Sequence, residues 1–243
     1  MKHYYFLTGG GANRFDAADL VHFLGKEVSV IELPGHGLER EQIVSSLEEL
    51  KDWFTGKIDA TSDGVLIAHS MGANLAPYLA KTCPSITSLI LLDGGYYDFD
   101  QILPLEEEVI ETQSYFDQMV FERQEDYRNL LKENAPYWSD HLEAAAKESL
   151  RLENSRYCLN INQTSFFHLL RLQRECQGTL ADLTCQTLLI PQTLDCPAWK
   201  TNMLQAVPSP IVIDRQIQCG HSPHTEKPEQ TAQVILDFLE API

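Results

Sequence analysis

Short apolar stretches alternate along the chain with segments of helical periodicity. Six stretches rich in β-branched or aromatic residues predict strands, at Lys2 to Thr8, Glu27 to Glu32, Gly64 to His69, Ser88 to Asp93, Gln186 to Pro191 and Ser209 to Arg215. They lack strict alternation, which is typical of strands covered on both faces. Because helical segments separate most of them, right-handed crossovers and a mostly or wholly parallel sheet follow. The pattern predicts a doubly wound α/β fold with six strands.

Two longer segments refine this pattern. EREQIVSSLEELKDWF, residues 39–54, predicts an amphipathic helix with Ile43, Leu47 and Leu50 on one face. Between Asp93 and Gln186, about ninety residues contain no convincing strand. Parts of this interval, such as HLEAAAKESLRLE and TSFFHLLRLQREC, are helical in pattern. We therefore expect a helical insertion that lies on the sheet.

Length, charge and cysteine use limit the class of protein. A chain of 243 residues is long enough for one α/β domain and an insertion, with a core that needs neither metal nor disulfides. The formal net charge of −17 argues against nucleic-acid or anionic-membrane partners. The six cysteines are scattered, the N-terminus does not resemble a signal peptide, and no apolar run approaches the ~18 residues of a membrane span. We expect a cytoplasmic protein that acts on a small molecule without a cofactor; its oligomeric state stays open.

The stretch LIAHSMGANL, residues 66–75, leads an apolar strand directly into Ser70. The pattern A-H-S-M-G is close to G-x-S-x-G, with Ala68 for the first glycine and Gly72 for the second. Small residues at these positions allow a sharp strand-to-helix turn that presents a serine hydroxyl as a nucleophile. A serine after a strand also serves commonly as a helix N-cap, so this motif is weak by itself.

The stretch FLTGGGAN places glycines after the first predicted strand. Such a loop presents backbone N–H groups, and those of Gly10 and Met71 are candidates to stabilise an oxyanion beside Ser70. A phosphate-binding loop is the competing interpretation. Neither G-x-G-x-x-G nor G-x-x-x-x-G-K-[ST] is present, which disfavours it.

A base and an acid complete the candidate chemistry. His221, in CGHSPHTEKPEQ, lies in a loop before the last helix and is the candidate base. Two aspartates compete for the acid: Asp195 follows the fifth predicted strand in LLIPQTLDCP, and Asp93 ends the fourth in LILLDGG. We prefer Asp195, since an acid after the penultimate strand, in the chain order Ser, Asp, His, is the commoner arrangement. Asp93 is then expected to shape the glycine turn that follows it.

Together these motifs resemble the α/β-hydrolase superfamily over nearly the whole core. ELPGHG resembles the family's D-x-P-G-x-G turn, with Glu32 for aspartate, and TGGG stands where many members have H-G-x-G, with Thr8 for histidine. The resemblance implies a Ser70, Asp195 and His221 triad with an oxyanion hole at Gly10 and Met71. It also implies a core of residues 1–95 and 183–243, without the family's first two strands, and a helical lid at residues 96–182.

The implied activity is a serine hydrolase that cleaves an ester, thioester or lactone of a small, largely apolar substrate through an acyl-enzyme. One alternative is a triad-dependent lyase similar to the menaquinone-pathway synthase, in which lid arginines hold an anionic substrate. Six arginines are available: Arg123, Arg128, Arg151, Arg156, Arg171 and Arg174. A non-catalytic small-molecule binding protein is a second alternative. A metal site at Cys196, Cys219 and His221 is disfavoured, because their spacing is not that of a zinc knuckle.

Overall fold

A computed structural model describes residues 2–241. The strands are β1 (His3–Leu7), β2 (Val28–Ile31), β3 (Gly64–His69), β4 (Ile86–Leu92), β5 (Val120–Phe121), β6 (Leu150–Glu153), β7 (Arg156–Leu159), β8 (Gln186–Ile190) and β9 (Val212–Ile213). The helices are α1 (Ala18–Leu24), α2 (Leu47–Thr55), α3 (Ser70–Thr82), α4 (Leu105–Gln118), α5 (Gln124–Asn134), α6 (Asp140–Glu148), α7 (Gln163–Glu175), α8 (Ala198–Gln205), α9 (Pro223–Glu226) and α10 (Pro228–Glu240).

Six of these strands form one sheet in the order β2-β1-β3-β4-β8-β9, and every neighbouring pair is parallel. This confirms the predicted α/β class with a six-stranded parallel sheet. The last strand is shorter than expected, because only Val212 and Ile213 pair with β8. In a parallel sheet all strands end at the same edge, so the loops after β1, β3, β4 and β8 meet there.

The sheet is covered on both faces. All six residues of β3 are buried, and four of them divide between two hydrophobic clusters. Leu66 packs in one cluster with Leu75 of α3, whereas Ile67 packs in the other with Leu20 of α1 and Ile235 of α10. Alternate residues of a strand point to opposite faces, so a strand between two helical layers has no polar positions. This explains the continuous apolar runs in the sequence.

The helix predicted at residues 39–54 begins later than its apolar pattern suggests. It starts at Leu47, because the Ser46 hydroxyl caps it by accepting the Glu49 N–H at 3.2 Å. The Glu49 carboxylate in turn accepts the Ser45 N–H at 2.7 Å. Ile43 therefore lies outside the helix, and 46% of its surface is exposed. The local capping chemistry outweighs the periodicity here.

The chain between β4 and β8 is not wholly helical. Helices α4 to α7 accompany a three-stranded antiparallel sheet in the order β5-β7-β6. The expectation that this interval holds no strand is wrong, because these strands have only two to four residues each and give little periodic signal. Asn154 and Ser155 join β6 and β7 with φ of +47° and +62°, as in a tight hairpin. The Asn-Ser dipeptide between LRLE and RYCL is the sequence feature that could have predicted this hairpin.

Polar contacts attach this insertion to loops at the carboxyl edge of the sheet. The Asn13 amide donates to the Ala145 carbonyl at 2.9 Å, and the Asn162 N–H donates to the Gly35 carbonyl at 2.8 Å. Asp19 accepts hydrogen bonds from Ser139 and His141 at 2.5 and 2.8 Å. The insertion therefore sits over the edge where the candidate residues gather. No helix within residues 2–241 combines the length and apolarity needed to cross a bilayer.

Candidate active site

Ser70 occupies a strained turn between β3 and α3. It adopts a φ of +51°, a left-handed conformation that a residue with a side chain rarely takes. Neighbouring backbone segments pack very closely around this turn. A Cβ at Gly72 would lie 2.3 Å from the Thr8 carbonyl oxygen, and one at Gly94 would lie 2.6 Å from the Ser70 carbonyl oxygen. Glycine at these positions lets the turn form and leaves the Ser70 side chain accessible.

His221 connects Ser70 to a carboxylate. Its Nε2 lies 2.8 Å from Ser70 Oγ, and its Nδ1 lies 2.5 Å from Asp93 Oδ2. The histidine is in the loop between β9 and α9. Glu226 holds this loop in place by accepting the N–H groups of Gly220 and Ser222 at 2.6 and 3.0 Å. The three side chains thus form a continuous chain of hydrogen bonds.

The carboxylate in this chain is Asp93 and not Asp195, which corrects the choice made from the sequence. Asp195 is exposed in the loop after β8, and His221 is bonded elsewhere. Asp93 follows β4, which is the direct neighbour of β3 in the sheet, whereas β8 is one strand farther from Ser70. Chain order made Asp195 the better candidate, but in the structure the His221 imidazole is bonded to Asp93 at the end of β4.

Asp93 is completely buried yet strongly stabilised as an anion. Its Oδ1 accepts the Tyr96 hydroxyl at 2.9 Å and the Gln192 N–H at 3.1 Å. Burial opposes ionisation, but the hydrogen bond from His221 and the charge of Lys200 outweigh it, so the pKa of Asp93 falls to about 2. Asp93 is therefore ionised at neutral and mildly acidic pH.

Lys200 was missed by the sequence reasoning. Its side chain is 7% exposed, and Nζ lies 2.5 Å from Asp93 Oδ2 and 2.7 Å from Gln192 Oε1. A single lysine near the start of a helix is ordinarily solvated, so its residue type and spacing carried no signal. Only the packing of α8 against the end of β4 places it beside the carboxylate.

Two further histidines surround His221. His69 donates from Nε2 to the His221 carbonyl at 3.1 Å, and its ring lies 4.3 Å from that of His224. Burial lowers the pKa of His69 well below its ordinary value and that of His224 to about 3, so both are neutral near pH 7. Neither is hydrogen-bonded to Ser70 Oγ, whose partner is His221.

Gly10 and Met71 lie close to Ser70: Gly10 lines the same cavity as Ser70, a Cβ at Gly10 would be 3.4 Å from the Met71 side chain, and Met71 follows Ser70 in the chain. Met71 is in the first turn of α3, whose N–H groups have no acceptor within the helix. Among residues 2–241, neither the Gly10 nor the Met71 N–H has a hydrogen-bond acceptor. A Cβ at Gly9 would lie 2.7 Å from His69 Nδ1, so glycine there lets the loop approach the turn. Two unpaired donors near Ser70 are the elements that an oxyanion site needs.

The two other family-like motifs shape the loops around the site. Glu32 is buried, and its carboxylate accepts the N–H groups of Arg14 and Leu38 at 2.8 and 2.7 Å. Thr8 is also buried, and its hydroxyl accepts the Leu33 N–H at 3.2 Å. Both side chains therefore tie the loops after β1 and β2 together.

Comparison with known proteins identifies the family. A family model described as the alpha/beta hydrolase family matches residues 5–234. The chain belongs to this family. Membership of the alpha/beta hydrolase family supports an enzyme of the hydrolase class. No curated protein has a sequence that matches this alpha/beta hydrolase significantly.

Solved structures share the alpha/beta hydrolase fold of this chain. E-2-(acetamidomethylene)succinate hydrolase matches with a TM-score of 0.75 and 18% identity, over 99% of this chain and 92% of that one. An esterase from Mycobacterium tuberculosis matches with a TM-score of 0.70 and 17% identity, over 98% and 84% of the two chains. A thioesterase domain from the curacin biosynthetic pathway matches with a TM-score of 0.67 and 16% identity, over 97% and 90%. At these identities the likeness concerns the fold.

In this alpha/beta hydrolase, a cavity of about 480 Å³ opens above Ser70 and His221. The insertion contributes much of its wall through aromatic and aliphatic side chains: Tyr115, Tyr127, Leu130, Leu131, Tyr137, Trp138 and Leu142. Asp16 and Glu226 are the acidic residues of the lining, and the lining includes neither lysine nor arginine. The cavity has the size of a small-molecule site, and its wall combines these apolar side chains with polar ones.

Most arginines of the insertion form ion pairs within this hydrolase and lie away from the cavity. Arg174 pairs with Glu108 at 2.6 Å, and Arg128 pairs with Glu143 at 3.3 Å. Ion pairs also engage Arg123, Arg151 and Arg171. None of the six arginines lines the cavity above Ser70. Within residues 2–241 there is also no group of three His, Cys, Asp or Glu side chains placed to hold a metal ion.

Proposed function

We propose that the protein is a serine hydrolase that cleaves a carboxylic ester, thioester or lactone through an acyl-enzyme. The observation that carries the proposal is the hydrogen-bonded series Ser70, His221, Asp93 at a strained turn beneath a cavity. A structural serine needs neither a positive φ nor a histidine partner that is itself fixed by a buried carboxylate. Membership of the alpha/beta hydrolase family supports the same reaction class.

In the proposed reaction, His221 Nε2 accepts the proton of Ser70 as Oγ attacks the substrate carbonyl carbon. The N–H groups of Gly10 and Met71 stabilise the negative charge that develops on the carbonyl oxygen. His221 then donates the proton to the leaving alkoxide or thiolate, and the acyl group stays on Ser70. A water molecule, deprotonated by His221, then attacks the carbonyl carbon of this ester. The bond to Ser70 Oγ breaks, His221 returns the proton to Oγ, and the carboxylic acid is released. Asp93 orients the imidazole and stabilises its protonated form.

The cavity favours a small, largely apolar acyl substrate. Burying alkyl or aryl groups against its tyrosine and leucine side chains contributes about 25 cal/mol per Å². A polyanionic group would meet two carboxylates and no cationic side chain in the lining. This also disfavours the lyase alternative, since a lyase that holds an anionic substrate with lid arginines needs those arginines in the cavity.

Reaction with a fluorophosphonate probe tests the serine mechanism. We expect covalent labelling of Ser70 in the wild type and none in Ser70→Ala. Ser222→Ala is the matched control, because Ser222 lines the same cavity but lies 3.4 Å from His69 and does not contact His221 Nε2. Labelling of both serine variants at the wild-type rate would contradict the proposal. Absence of labelling in the wild type would also contradict it and would favour a non-catalytic binding protein.

A panel of p-nitrophenyl esters, thioesters and lactones then identifies the reaction. Ser70→Ala should reduce kcat for the best substrate on the order of a millionfold, since the attacking atom is lost. The half-buried hydroxyl contributes little packing, so the melting temperature should change little. Turnover by Ser70→Ala near the wild-type level would contradict a serine mechanism.

A further inference from the structure

Lys200 and His221 share one oxygen atom of Asp93. Lys200 Nζ and His221 Nδ1 each lie 2.5 Å from Asp93 Oδ2, so the two nitrogens are no more than about 5 Å apart. Lys200 is nearly inaccessible to solvent, and its ammonium group also donates to Gln192 and lies 5.4 Å from the centre of the Tyr97 ring. A buried lysine bonded to the carboxylate that orients the proposed base is not required for the reaction itself.

We propose that Lys200 is a positioning residue whose charge offsets that of Asp93 at His221 and so keeps the enzyme active in mildly acidic solution. This inference rests on the proposed serine hydrolase function. A carboxylate beside the imidazole favours its protonated form, which has no free Nε2 to accept the Ser70 proton. A cation on the same oxygen opposes this effect. Lys200 and Asp93 are buried, whereas the His221 side chain is 45% exposed, so solvent and salt screen part of the effect at the imidazole. The base therefore stays available at a lower pH than with Asp93 alone.

The other titratable groups around Asp93 and His221 do not supply a positive charge. They are His69 on β3, Tyr96 and Tyr97 after β4, Cys219 before His221, and His224 and Glu226 on α9. Burial raises the pKa of both tyrosines above the ordinary value and that of Cys219 to about 11, so these groups are neutral. His69 and His224 are neutral for the same reason, and Glu226 is bonded to backbone N–H groups. Of these groups and Lys200, only Lys200 is cationic.

Three substitutions separate the charge of Lys200 from its shape. Lys200→Met removes the charge and the donors, Lys200→Gln keeps an N–H donor without the charge, and Lys200→Arg keeps the charge. The profile of kcat/KM against pH is measured for each from about pH 5 to about pH 9, with an uncharged ester. The rate of fluorophosphonate labelling of Ser70 over the same range is a second readout that does not depend on substrate choice.

We expect the acid limb of both profiles to move up by roughly one to two pH units in Lys200→Met and Lys200→Gln. Lys200→Arg should stay near the wild type. A merely structural role would instead lower all values equally at every pH, without moving the limb, and would overturn the inference. Failure of both uncharged variants to fold would also overturn it, because the ion pair would then serve the fold. A wild type that is neither labelled nor active would refute the proposed hydrolase function as well. An active wild type whose Lys200 variants keep the same acid limb would refute only the role of Lys200.

Discussion

Asp93 accepts hydrogen bonds from four different residues through its two carboxylate oxygens. His221 and Lys200 bind Oδ2, and the Tyr96 hydroxyl and the Gln192 N–H bind Oδ1. At the scale of single residues, this is what makes a buried anion stable, since each partner replaces hydration lost on burial. Asp195 has no comparable environment, because it is exposed.

We expect Asp93→Asn to reduce kcat by about 10⁴-fold, since an amide favours the wrong imidazole tautomer. Asp195→Asn, the matched control, should leave kcat within about twofold, as is usual for an exposed site without partners. Steady-state kinetics of both variants, with melting temperatures to verify folding, make the comparison. The opposite ranking would transfer the acid role to Asp195.

Asp16 gives a prediction about stability and pH. It lines the cavity, and burial, assisted by the charge of Glu32, raises its pKa from 3.8 to about 6. The folded protein therefore binds this proton more tightly than the unfolded chain does. Ionised Asp16 lowers the free energy of unfolding above about pH 6, and this loss is recovered as the pH falls towards 4.

Asp16→Asn should consequently raise the melting temperature at about pH 8 and change it little at about pH 4.5. The asparagine Oδ1 keeps an acceptor for the Asn13 N–H, which Asp16 now accepts at 2.6 Å. Asp195→Asn, an exposed substitution of the same kind, serves as the control. An equal change at both pH values would show that the hydrogen bond and not the charge matters.

At the scale of secondary-structure elements, the junction of β3 and α3 depends on how closely neighbouring backbones approach. Gly72 lies where a Cβ would be 2.3 Å from the Thr8 carbonyl oxygen and 2.9 Å from that of Leu7. No rearrangement of a side chain can relieve such a contact, because both atoms belong to the backbone of β1 and the loop after it. The turn that presents Ser70 therefore requires glycine.

Gly72→Ala should lower the free energy of unfolding by about 1–3 kcal/mol, which is typical of overpacking, and slow fluorophosphonate labelling of Ser70. Gly56→Ala is the control: Gly56 ends α2 with a φ of −70°, and a Cβ there meets its nearest neighbour at 3.4 Å. Urea unfolding and labelling rates compare the two. Equal effects of both substitutions would contradict a special role for the close approach at Gly72.

At the scale of the whole molecule, the chain is strongly acidic and its insertion contributes much of the cavity wall above Ser70. The chain carries a net charge of −17, and residues 98–182 contain 17 acidic and 8 basic residues. The arginines of this segment are engaged largely in ion pairs away from the cavity. We therefore expect the field at the entrance to disfavour anions and to be screened by salt.

We expect an uncharged N-acetylcysteamine thioester to have a higher kcat/KM than the coenzyme A thioester with the same acyl group. Because both share the scissile bond, the comparison isolates the charged part of the leaving group. Added salt should narrow the difference by raising the rate with the coenzyme A thioester. A preference for the coenzyme A thioester that fades with salt would instead indicate a basic entrance.

The sequence by itself determined the parallel sheet, because strands buried on both faces need continuous apolar runs and helices between them. It also singled out Ser70 and His221, since the serine turn needs small residues at Ala68 and Gly72, and this requirement is local. These features depend on a few consecutive residues and are therefore visible in the chain.

Only the tertiary structure decided which acid reaches His221, and that Lys200 joins it. Asp93 and Asp195 both follow strands of the same sheet, and the sequence does not reveal which of the two carboxylates the loop that carries His221 approaches. Lys200 reaches Asp93 across 107 residues of chain, through the packing of α8. Such contacts are fixed by strand order and helix docking, which depend on the whole core and leave no local pattern around either residue.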